Sequence, residues 1–119
     1  MKFSNALCAA ALMLPSLAGA TGESAAGADP DNGQVIYDRM CAGCHGYKGD
    51  GGEGHRGGFS PHVPTLADKA YMASVPDDYL FLIIKKGGAY MGKMASMPAW
   101  EKRLSDEEIR DIVAHIRRF

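Results

Sequence analysis

The sequence is short of cysteine, of tryptophan and of any block of one charge. Three cysteines occur in 119 residues, and Cys8 lies in an N-terminal apolar stretch, so a scaffold stapled by several disulfides is excluded. Lysine and arginine number 13 against 14 aspartates and glutamates, net charge −1. With no basic block and no stripe of stacked aromatics, nothing in the chain calls for nucleic acid. Alternation at strand spacing is absent, and so is any internal repeat. The one long apolar run, residues 6–18, is broken by Pro15 and is shorter than the roughly 20 residues that cross a bilayer.

What is present at the N-terminus reads as an export signal. Lys2 supplies the positive start, residues 6–18 the apolar stretch and Ala18-Gly19-Ala20 the small-x-small cleavage site. Residues 1–20 are therefore expected to be removed, Cys8 with them, leaving a periplasmic protein with no stable membrane insertion. Residues 21–30, "TGESAAGADP", are small and polar and read as a flexible leader. Residues 31–119 form one domain. A chain of roughly 100 residues buries a modest share of its surface, and a bound cofactor would add to that core.

The domain reads as mostly helical. Asp31 followed by Gln34 forms a capping-box pattern, after which Gly33, Ile36, Tyr37 and Met40 share a face. Glycine inside a helix costs about 1 kcal/mol, so Gly33 marks a place where another helix comes close. From His45 to Pro64 the chain has glycine at 46, 49, 51, 52, 54, 57 and 58 and must be loop. Asp50 and Glu53 leave open an ion-binding role for it. A middle helix is expected from Ser74 and Asp77 as a capping pair, with Leu80, Ile83 and Ile84 on one face and Lys85-Lys86-Gly87 as the stop. The last helix carries the clearest local signal: Ser105 and Glu108 as capping box, Leu104 and Ile109 as staple, and Ile109, Ile112, Val113 and Ile116 as buried stripe. Asp106, Glu107 and Glu108 suit the positive end of its dipole, and Arg117 and Arg118 the negative end.

Two stretches carry chemistry. "CAGCH", residues 41–45, has three readings in an exported protein: an oxidoreductase dithiol, half a zinc site, or thioether attachment of haem. The dithiol wants a thioredoxin-like alternation of strands and helices, which is missing. Zinc would have to draw on His45, His55, His62 and His115, scattered over a loop and a distant helix. Haem explains the five residues together. Cys41 and Cys44 each bond one vinyl group, and His45 follows where its imidazole reaches the iron. The second stretch, "YMGKMASMPAW", spaces Met91, Met94 and Met97 three apart. Each thioether is a candidate for the sixth iron position, and the three together suit copper(I).

These residues resemble the class I c-type cytochromes: an aromatic-bearing helix into "CAGCH", "PTL" at 64–66, a middle helix, "MPAW" at 97–100 and a capped terminal helix. The resemblance covers residues 31–119. It implies an all-α cytochrome c-like fold of three to four helices around one covalently attached haem c, with the first and last helices crossing at Gly33 and Tyr37 packed on the Ile112, Val113 and Ile116 face. It implies His45 and Met97 as the axial ligands, because a methionine followed by proline shortly before the last helix matches the family's motif. Trp100 would pack at the ring's edge. It also implies Pro64 as the residue whose carbonyl accepts the His45 Nδ1 proton, in preference to Pro61.

A thioether in the sixth position raises the potential and closes the iron to substrate. The expected function is accordingly a periplasmic electron carrier, not an enzyme, serving a dehydrogenase, reductase or oxidase, with Lys85, Lys86 and Lys93 as a basic rim for acidic partners. The alternative is a dedicated cytochrome c subunit of a larger dehydrogenase complex. A ligand-binding haem sensor or peroxidase-like enzyme would require an open sixth position.

Overall fold

The computed structural model describes residues 27–51 and 63–119. Among the described residues there are five α-helices and no strand: α1 (Pro30–Met40), α2 (Ala42–His45), α3 (Lys69–Ser74), α4 (Asp77–Lys86) and α5 (Asp106–Ile116). The fold is all-α, as expected. No helix among the described residues is long and apolar enough to cross a membrane. The export signal, the leader before Gly27, and Glu53, His55, Pro61 and His62 lie outside the described residues.

The first and last helices form the centre. A β-carbon placed on Gly33 would overlap the backbone carbonyl of Asp111, so only glycine lets α1 and α5 approach this closely. Beneath the crossing Tyr37, Ile109 and Ile112 are completely buried, each side chain contributing about 1.5–3 kcal/mol through lost contact with water. Leu80 and Ile84 of α4, with Leu104 and Ile116, complete the same core. Asp111 was not expected inside it. Its carboxylate is buried yet fully employed, accepting from the Asp29 backbone N–H at 2.7 Å and from Asn32 Nδ2 at 2.7 Å. These bonds fasten the start of α1 to the middle of α5.

Two helix starts differ from expectation. Asp29, not Asp31, caps α1, its side chain accepting from the N–H groups of Asp31 and Asn32, and Pro30 takes the first turn. Proline fits there because its missing N–H would have had no partner in any case. Asp31 is instead paired with Arg118 at 2.6 Å. Likewise Ser74 does not cap α4. It ends α3, which Asp68 caps, and its hydroxyl donates to the Tyr71 carbonyl at 2.6 Å. Pro76 precedes α4, whose first turn carries Asp77 and Asp78. The α5 capping box is formed as expected, with Ser105 and Glu108 satisfying each other's backbone N–H groups. Arg117 reaches away from its own helix: its guanidinium binds Asp77 and the carbonyls of Met72 and Val75, tying α5 to the α3–α4 junction.

Candidate functional site

The "CAGCH" stretch is one continuous helical turn. Cys41 ends α1 and begins α2, and its carbonyl accepts from the N–H groups of Cys44 at 3.1 Å and His45 at 3.0 Å. Residues three and four apart lie on one side of a helix, so both thiols and the imidazole are presented together. No disulfide joins the cysteines; Cys41 is half-buried and Cys44 exposed. Burial, with Cys44 alongside, pushes the Cys41 thiol up to about 12. A thiol held protonated is a poor attacking group for disulfide exchange, which weighs against the dithiol reading.

His45 is held from its C-terminal side. The chain leaves α2 through Gly46 at φ 78°, and the His45 carbonyl accepts from the Gly51 N–H at 2.9 Å. Burial lowers the imidazole's proton affinity, favouring the neutral form that ligates metals. Its Nδ1 atom is buried and, among the described residues, unpaired. Pro64 is exposed and makes no hydrogen bond with His45.

The three methionines are distinguished by their surroundings. At the end of α4 the chain turns through Gly87 and Gly88, and residues 94–99 lie directly across that turn. A β-carbon on Gly87 would stand 2.8 Å from Ala99 N and 3.0 Å from the Met97 carbonyl, and one on Gly88 would meet the Met94 carbonyl. Gly88 N–H donates to the Met97 carbonyl at 2.9 Å, and Trp100 N–H to the Ile84 carbonyl at 3.1 Å. This segment places Met97 against the buried core together with Trp100, Met40 and Cys41. Met94 is 51% exposed. The thioether of Met97 and the "CAGCH" turn thus border one apolar cluster, whereas Met94 faces outward.

The basic rim takes another form. Lys85 pairs with Asp106 at 2.7 Å and Lys86 with Glu101 at 2.6 Å. The hydrogen bond from Lys86 holds the Glu101 carboxyl below its usual range. Both lysines therefore staple α4 to the chain around the start of α5, leaving Lys93 exposed.

Two thiols and a half-buried imidazole in one turn, with a thioether on the adjoining core, fit the donor set of haem c. With an all-helical fold around them, they define a c-type cytochrome domain. Residues 28–116 match the family cytochrome c oxidase, cbb3-type, subunit III, and the chain belongs to that family. It is 31% identical over 90 residues to the cbb3-type cytochrome c oxidase subunit FixP of Bradyrhizobium diazoefficiens, covering 76% of this chain and 27% of that protein. To the cbb3-type cytochrome c oxidase subunit CcoP of Azospirillum brasilense it is 29% identical over 86 residues, covering 72% of this chain and 27% of the relative. The chain thus corresponds to 27% of the length of either relative. Membership of the family implies haem c and a part in electron transport.

Proposed function

We propose that this chain is the haem-bearing electron-transfer subunit of a larger respiratory complex, acting on the exported side of the membrane. The free carrier expected first from the sequence is the less supported of the two readings. The observation that carries the proposal is the family match over residues 28–116, because one segment contains Cys41, Cys44, His45 and Met97 together with the helices that hold them. Both similar proteins are named as oxidase subunits, which favours an oxidase over a dehydrogenase as the complex served.

One haem c would be held by thioether bonds from Cys41 and Cys44, with His45 and Met97 on the iron. When bound, it supplies a reversible one-electron change at the metal, and the protein sets potential and access. The half-buried Met97 would close the sixth position. The core beside it excludes water, and Pro64 is the proposed acceptor for His45 Nδ1. The N-terminal signal, with Lys2 and Ala18-Gly19-Ala20, supports the periplasmic location.

Native purification in mild detergent tests the assignment. A haem-stained band of this chain comigrating with oxidase subunits at fixed stoichiometry supports it. Recovery of all haem-stained protein as a monomer in the soluble periplasmic fraction would overturn it in favour of a free shuttle.

A further inference from the structure

Tyr37 is four residues ahead of the first haem-attaching cysteine and outside the donor set, yet its polar atom reaches the turn that carries His45. The hydroxyl donates to the Gly46 carbonyl at 2.8 Å in a buried hydrogen bond. Gly46 directly follows His45. Its N–H closes α2 on the Ala42 carbonyl at 2.9 Å, and its carbonyl also accepts from the Gly49 N–H at 3.1 Å.

The ring of Tyr37 cannot swing away from this bond. It is wholly buried, with His115 at 5.2 Å and Phe119 at 5.3 Å between ring centroids. Phe119 in turn lies on the same glycine turn, since a β-carbon on Gly49 would stand 2.6 Å from its ring. The segment Gly46–Gly51 is therefore gripped by a hydroxyl on one contact and an aromatic face on another. A phenylalanine at position 37 would fill the same space and stack on the same rings. What the hydroxyl adds is the fixed peptide after His45. Burial pushes its pKa up, so it remains a donor throughout the physiological range.

We propose that Tyr37 is a positioning residue for the iron ligand: through the Gly46 carbonyl it sets the orientation of the His45 imidazole and thereby tunes the potential of the haem. This rests on the haem reading of Cys41, Cys44 and His45, and the experiment distinguishes the failure of one from the failure of the other. Wild-type protein that carries no haem removes that reading and the proposal with it.

With haem attached, the test is Tyr37→Phe in the full exported protein, followed by redox titration and ferric electron paramagnetic resonance. The variant is expected to change the ratio of reduced to oxidised protein at a fixed ambient potential by about threefold, ~30 mV for one electron, with altered g values. Asn32→Ala is the control. It weakens the same helix pair at its far end, through the bond to Asp111, and should lower the thermal midpoint while leaving potential and g values at wild type. If Tyr37→Phe also lowers only the thermal midpoint, or changes nothing, the hydroxyl has no hold on the ligand and the proposal is overturned.

Discussion

The two sides of the proposed haem site are built differently. The His45 side grows out of the tightest packing in the domain: α1 against α5 at Gly33, with Tyr37 sealed beneath and Asp111 clamping the helix start. The Met97 side is a loop laid over the glycine pair at the end of α4, held by backbone bonds such as Gly88 N–H to the Met97 carbonyl, with Met94 and Tyr90 turned outward. Both proposed ligands are half-buried: the His45 turn continues directly from α1 of the core, and Met97 sits on a loop packed against that core. Local opening follows packing and buried apolar contact, so the thioether side should yield first and the imidazole side only with the whole domain.

The largest effect is expected from removing the attachment itself. Cys41→Ala or Cys44→Ala should strip most of the haem and, because haem binding and folding are linked, collapse the helical signal in far-ultraviolet circular dichroism. A variant that stays fully helical without haem would break the proposed dependence of the core on its cofactor.

Next comes the rigid side. Gly33→Ala forces a methyl into the Asp111 carbonyl and should cost about 1–3 kcal/mol in denaturant unfolding. Met97→Ala should leave the fold in place while lowering the potential and admitting carbon monoxide to the reduced iron, whereas Met94→Ala should leave the absorption spectrum as it was. Equal loss of stability from Gly33→Ala and Met97→Ala would erase the contrast between the two sides; the reverse behaviour of Met94 and Met97 would exchange their roles.

The smallest effect concerns pH. His115 is buried between Tyr37 and Phe119, and among the described residues neither of its ring nitrogens has a partner. Burial, with Arg118 nearby, outweighs the pull of Asp38 and Asp31 and lowers its pKa from the ordinary 6.5. The unfolded chain therefore takes up a proton at a higher pH than the folded one does. Stability from this group is complete above about pH 6.5 and falls as the solution is acidified toward the depressed folded value. His115→Phe should abolish that acid-side loss and gain about 1 kcal/mol by removing two unsatisfied nitrogens. Thermal midpoints of both proteins at pH 7 and pH 5 read the difference.

The parts of this contrast that depend on near neighbours in the chain were open to inspection in the sequence. Ser105 and Glu108 cap α5 because the capping box is complete within four residues. Gly33 announced a close helix approach by its cost. What escaped was settled between distant segments. Asp29 displaced Asp31 as the cap of α1 once Asp111, far along the chain, took the Asp29 N–H and Arg118 took the Asp31 carboxylate. Lys85 and Lys86 looked like a free basic rim, but Asp106 and Glu101 come to meet them only when α4 and α5 pack. Phe119, unremarked at the end of the chain, closes the ring cluster on Gly49. Pattern reveals caps and stripes; tertiary partners decide which polar side chain serves which end.

The most direct measurement is intact and peptide mass spectrometry of protein recovered from the periplasm. The peptide spanning Cys41 to His45 should carry the mass of one haem joined through both sulfurs, with neither thiol open to alkylation. Two alkylatable thiols on a peptide of unmodified mass, in correctly exported material, would contradict a haem held by this turn.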